Sequence, residues 1–271
     1  MSNRTLWILA VVLTLLSALY QRMTGPTYPV RVSESIAGVE VKARLLRTHS
    51  TSSDLTVTLN APGESVAGTV RWRHFPSDGA WTDVPLTRNG DELSASIPAQ
   101  PSAGKVEYTV ILSAGSEALI LPGDQAVVAR YKGDVPGFVL APHIFFMFFA
   151  MLWSNRTGME ALAGGPRRRK QAATTLVLLM LGGLLLGPIV QKYAFGAYWT
   201  GWPFGEDLTD NKLAVAVLAW IWAALRGGNT KQARTITVIA ALVVFAVYMI
   251  PHSMNGSTLD YATGETVTGA R

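Results

Sequence analysis

The sequence contains no cysteine. Disulfides, thiolate metal sites, cysteine nucleophiles and c-type haem attachment are therefore excluded, and any folded outer domain must stand on its own apolar core. Charge is scarce as well. Asp, Glu, Lys and Arg make up 15% of the chain, against roughly 25% in a soluble globular domain. Catalytic spacings such as HExxH or G-x-S-x-G do not occur, so neither a zinc hydrolase nor an α/β-hydrolase is signalled. Internal repeats and low-complexity tracts are lacking too, which argues against a transporter built from inverted halves.

What the chain has is long apolar runs, at its start and through its second half. Leu6–Tyr20, Phe138–Trp153, Thr174–Val190, Leu213–Leu225 and Ile236–Ile250 read as five transmembrane helices. Several are shorter than the ~20 residues that a bilayer requires, so the helices are expected to run on into their flanks. The runs are almost free of ionisable residues, which weighs against an ion pathway through the bundle. The first follows a short basic start and lacks a small-residue cleavage site. It reads as an uncleaved signal anchor, residues 1–26, with Trp7 and Tyr20 at the interfaces. Gly182-Gly183 and Gly187-Pro188 mark the third run as a place of close packing or a kink.

Residues 27–134 change character. Leu55–Leu59, Val70–Arg73, Leu93–Ile97, Val106–Val110 and Val127–Tyr131 alternate apolar and polar residues, as strands with one buried face do. Ala61-Pro62-Gly63, Pro76-Ser77-Asp78-Gly79, Asn89-Gly90-Asp91 and Leu121-Pro122-Gly123-Asp124 supply turns between them. Asn89-Gly90 predicts a type I′ hairpin, because both central residues of that turn need positive φ. About seven short strands suggest a β-sandwich.

The stretch Trp81 to Val110 carries Val84-Pro85-Leu86, Gly90-Asp91, Ile97-Pro98-Ala99-Gln100-Pro101 and Val106-Glu107-Tyr108. In these turn and packing signals it resembles a fibronectin type III or immunoglobulin-like module. The missing cysteine pair favours the fibronectin-like variant. The resemblance implies a fold and a tendency to mediate contacts, and no catalytic residue. The expected fold class is α+β: five transmembrane helices, with an extracytoplasmic β-sandwich inserted between the first and second, and residues 135–271 forming a four-helix membrane domain.

Orientation follows from the basic residues. The net charge of +5 collects beside apolar runs, which points to membrane ends rather than to nucleic acid. Arg4, then Arg167, Arg168, Arg169 and Lys170 within the Arg156–Lys170 segment, then Arg226, Lys231 and Arg234, all fall in the cytoplasm if the first helix runs outward. The chain is then expected in a bacterial inner membrane. Its N-terminus is cytoplasmic, and the β domain, the 191–212 loop and the tail from Pro251 are extracytoplasmic. All four histidines, His49, His74, His143 and His252, fall on that outer side.

Two outer features carry chemistry. His143 and His252 with Glu206, Asp207 and Asp210 offer imidazole and carboxylate ligands for a metal, and the histidine pair offers axial ligands for a haem. The competing reading has these groups capping helix ends, with Asp207 and Asp210 starting the fourth helix. Ser253 beside His252 forms no dyad by adjacency, and no acid–base pair is defined. The loop 191–212 carries Phe195, Tyr198, Trp199, Trp202 and Phe204 among glycines and prolines. It reads either as an aromatic belt at headgroup level or as a packed lid that meets a partner, and the Gly and Pro punctuation favours one defined conformation.

The function this supports is a non-catalytic accessory, assembly or scaffolding subunit of a larger membrane complex, respiratory or photosynthetic. Its partners are the bilayer and the other subunits. The alternative is a membrane enzyme or electron carrier with a metal, haem or quinone site at the outer interface. The sequence names no cofactor. In a third reading Trp72 and Trp81 form a platform for a glycan, although both suit a core better.

Overall fold

The computed structural model describes residues 1–76, 79–226, 230–251 and 256–268. Two compact units emerge: Met1–Pro26 with Val135–Tyr193 and Ala197–Gly256, and Thr27–Asp134 with Ala194–Gly196 and Ser257–Arg271.

The first unit holds five helices long and apolar enough to cross a membrane. They are α1 (Asn3–Thr24), α2 (Gly137–Leu162), α3 (Arg168–Phe195), α4 (Leu208–Leu225) and α5 (Lys231–Met249). Each starts before its apolar run, where polar residues find partners inside the unit. Ser2 caps α1 by accepting from the Thr5 amide, and Thr230 caps α5 by accepting from Ala233. Helix α2 packs on α1, α3 and α5, and α4 packs on α3 and α5. Glycines set the closest approaches. A Cβ on Gly158 would lie 2.6 Å from Ala241 Cβ, and one on Gly183 would lie 2.4 Å from a Leu213 methyl.

Helix α3 contains a π segment, Met180–Leu186. A π turn displaces a carbonyl from the regular ladder. His143 Nδ1 lies 2.9 Å from Gly182 O, and since a carbonyl only accepts, that ring nitrogen is the donor.

Arg156, which opens the expected cytoplasmic segment, lies within α2, fully buried, its Nη2 2.7 Å from Glu160 Oε2 one turn on and 2.7 Å from Asn3 Oδ1. Trp7 packs edge-on against Trp153, with ring centres 5.1 Å apart, and beneath the Arg156 guanidinium. Its surroundings are helix side chains.

In chain order the β unit follows α1 and precedes α2. One sheet orders β1 (Val30–Ile36), β2 (Val39–Leu45), β4 (Leu55–Asn60), β8 (Glu92–Ile97) and β7 (Thr87–Asn89). The other orders β3 (Thr48–Ser50), β11 (Val127–Lys132), β9 (Lys105–Ala114), β5 (Ala67–His74) and β6 (Thr82–Pro85), with β10 (Glu117–Leu121) also on β9. All pairs are antiparallel except β3 with β11. The alternation places Val41, Leu45, Leu55, Leu59 and Leu93 of one sheet and Val70, Val106, Tyr108, Val110 and Tyr131 of the other in a single core. Two sheets sharing one apolar core is the layer solution that period-two strands reach without a helix.

Turn positions differ from the predicted one. In the β7–β8 hairpin Asn89 pairs with Glu92, so the loop residues are Gly90 and Asp91. Gly90 alone has positive φ there, +59°, the pattern of a type II′ turn with glycine first. The I′ pattern occurs instead between Ile36 and Val39, where Ala37 and Gly38 have φ of 48° and 78°.

The tail from Ser257 counts with this unit. Its strands β12 (Thr258–Leu259) and β13 (Thr266–Val267) form a hairpin, and the Leu259 amide donates to Ala103 O at 3.0 Å. Tyr261 stacks on His74 with ring centres 3.9 Å apart and donates to Lys105 O, while Lys105 Nζ donates to Thr258 Oγ1. The expected boundary, which gave the tail to the membrane domain, misses this hairpin.

Candidate functional site

The segment between α3 and α4 is built around one carboxylate. Asp210, in the first turn of α4, turns Oδ2 back onto the preceding loop. It accepts from the Thr200 amide at 2.7 Å, the Gly201 amide at 3.0 Å and Gln191 Nε2 at 3.1 Å. Asn211 Oδ1 takes the next amide, that of Trp202, at 2.7 Å. Three consecutive backbone donors are thus held by two consecutive side chains. Gln191 also reaches Thr200 Oγ1 at 2.6 Å.

Asp207 completes the frame. It is the N-cap of α4, with Oδ1 2.8 Å from the Thr209 amide, and its Oδ2 accepts from Thr200 Oγ1 at 3.2 Å. Its own amide donates to Thr200 O, and the Phe204 and Gly205 amides donate to Gly201 O. Gly201 is required by space. A Cβ there would lie 2.6 Å from Asp210 Cβ and 2.8 Å from Asn211 Oδ1, closer than real Cβ atoms come. Lys212, also buried, donates through Nζ to Ile250 O at 2.7 Å and covers the carbonyl end of α5. Gln21 of α1 donates to Tyr248 O at the same helix end.

On this frame the five aromatics of the sequence reading divide. Trp202 and Phe204 are 78% and 82% exposed, and Tyr198 is exposed beneath Lys192 Nζ, 5.5 Å from its ring centre. Trp199 is half-buried and braces the turn, its Nε1 donating to Trp202 O at 3.2 Å. Phe195 falls in the β unit, under the Arg130 guanidinium.

No family model matches this sequence, and no curated protein matches it.

For the proposed metal ligands, the structure joins Asp207 and Asp210 through Thr200 and spends their lone pairs on protein donors. His143 serves the Gly182 carbonyl, Glu206 is exposed, and His252 and Ser253 lie outside the described residues. Among the described residues no three His, Asp or Glu side chains converge as metal ligands would. In the β unit His49 meets Ser53 and the Tyr131 ring, and His74 meets Tyr261. Trp72 packs on the core, and Trp81 lies under Arg73, 4.4 Å from the guanidinium carbon.

Sequence reasoning missed Gln191, Thr200, Asn211 and Lys212. Asn211 and Lys212 adjoin Asp210, and polar residues crowded into a helix's first turn behind a Gly-rich loop are the available signal. It also read the basic run at 167–170 as uniform. Arg168 is buried in phase with Ala172, Thr175 and Leu179, while Arg167, Arg169 and Lys170 are exposed.

Proposed function

We propose that this chain is a multi-pass protein of a bacterial inner membrane that serves as an accessory, assembly or scaffolding subunit of a larger membrane complex. Its N-terminus faces the cytoplasm, and its β unit and the loop 191–212 face outward. Large apolar side chains left in the open on the helices, such as Leu16, Leu19, Phe145, Leu185, Leu218 and Leu242, support lipid contact, since soluble monomers do not expose such surface. The β unit is read as a fibronectin-like contact module.

The observation that carries the functional reading is the exposure of Trp202 and Phe204 on a backbone already fixed by Asp210 and Asn211. Aromatic side chains held on a pre-ordered loop are what protein interfaces use as anchors, because little ordering entropy remains to be lost on docking. A headgroup belt favours Trp and Tyr for their polar edges, and Phe204 has none.

The test is gentle purification from native membranes followed by mass spectrometry. A stoichiometric partner is expected, and W202A combined with F204A is expected to release it while the chain stays folded. A lone monomer from native membranes contradicts the proposal.

A further inference from the structure

Three arginines lie on the helix segments where α2 ends and α3 and α5 begin. Arg156 and Arg168 are 0% and 1% exposed, and Arg234 is half-buried. One carboxylate accompanies them: Glu160, which pairs with Arg156 and accepts from the Arg167 amide. Arg168 donates to Thr237 Oγ1 at 3.0 Å and to Ala233 O, Arg234 donates to Gly164 O, and the two lie close enough to feel each other's charge. No carboxylate pairs with either among the described residues. Arg156 Nε and Nη1, Arg168 Nε and Nη2, and Arg234 Nε are buried without an acceptor. Buried cations in excess of anions, with donors left over, favour a negative, oxygen-rich group.

An apolar cavity of about 210 Å3 begins one turn along α5 from Arg234, lined by Leu13 of α1, Asn155 and Leu162 of α2, and Val238, Leu242 and Phe245 of α5. Arg234 precedes Val238, Ala241 and Phe245 by four, seven and eleven residues, so it stands on the same stripe of α5. Leu162 lies two residues before Gly164, whose carbonyl holds Arg234.

We propose that this end of the helical unit is a binding site for one anionic phospholipid, its phosphate at the half-buried Arg234, with the buried Arg168 charge behind it, and part of an acyl chain in the cavity. The charge calls for an anion, and the apolar cavity on the same helix stripe selects a lipid over a free phosphate. The proposal rests on the membrane reading above.

Native mass spectrometry of the full chain, loaded with equal dioleoylphosphatidylglycerol and dioleoylphosphatidylcholine, tests it. One phosphatidylglycerol is expected to be retained about tenfold over phosphatidylcholine. R234Q and R168Q each remove that preference, and R226Q, at an exposed arginine, leaves it. L242W, which narrows the cavity and leaves the arginines intact, weakens retention and keeps the test open if R168Q does not fold. Equal retention of both lipids, or a preference untouched by R234Q and L242W, overturns the site. Retention of inorganic phosphate as strong as that of the lipid makes it a free-anion site and overturns the lipid assignment. Release of the chain from membranes by alkaline carbonate contradicts the membrane reading itself; a chain that stays and shows no lipid preference contradicts this proposal alone.

Discussion

Replacing Asp210 by alanine should unlock the aromatic loop. The substitution strips the acceptor from the Thr200 and Gly201 amides and from Gln191 Nε2. A buried donor left without an acceptor costs about 1–3 kcal/mol. With water reaching part of the vacated space, the two amides together lose about 3 kcal/mol, on the low side of the roughly 2–6 kcal/mol that two such donors span. At about 1.4 kcal/mol per tenfold, local opening becomes on the order of 100 times more frequent. Amide hydrogen exchange across residues 198–206, in protein held in lipid nanodiscs, reads this directly, because exchange there reports local opening free energy. Asp210→Asn keeps an acceptor oxygen but removes its charge, and charge-assisted bonds are roughly twice as strong as neutral ones. It should cost about 1 kcal/mol and speed exchange about fivefold. Mid-helix amides of α5 should not change in either variant. If Asp210→Ala leaves the Thr200 and Gly201 amides as protected as in the wild type, the carboxylate does not hold the loop and the reasoning fails.

Other outcomes follow from the same geometry. Gly201→Ala forces a Cβ against Asp210 and Asn211 and should loosen the same loop by about 1–3 kcal/mol, the usual cost of overpacking, visible as faster proteolysis within 198–206. Gly158→Leu should push α2 from Ala241 and lower the melting temperature in detergent, whereas the same change at exposed Gly115 acts only on the β9–β10 turn. Burial, with the Arg130 charge adding to it, lowers the Lys105 ammonium to about 8 from its ordinary 10.5. Between those values the unfolded chain binds the extra proton, so stability rises with pH across that window. Thermal unfolding should show this rise in the wild type and its loss in K105M, and parallel pH profiles would rule the assignment out.

The helices were legible because apolar runs are long-range signals that survive any detail of packing. Their ends were not, since Asn155, Arg156 and Glu160 are polar residues that continue α2 only because α1 and the helix itself supply partners for them. Strand alternation located the β core residues, but Asn89-Gly90 misplaced a turn by one position: register is decided by cross-strand pairing, and the dipeptide fits two registers. The tail hairpin has strands of two residues each, too short for any period to show. At the loop, sequence reading picked out the aromatics and Asp207 and Asp210 but not their relation, because the partners of Asp210 are backbone amides, which every residue but proline has. Arg168 could have been found, since its spacing to Ala172, Thr175 and Leu179 is that of one buried helix stripe.

The exposed aromatics of this loop are proposed to meet another protein. Placing a photo-crosslinking phenylalanine analogue at position 202, and separately at 204, then irradiating native membranes, tests it most directly. One discrete protein adduct is expected from both positions, and none from an exposed position on α5 such as Leu242. Adducts with lipid alone from 202 and 204 would make the loop a headgroup belt and contradict the claim.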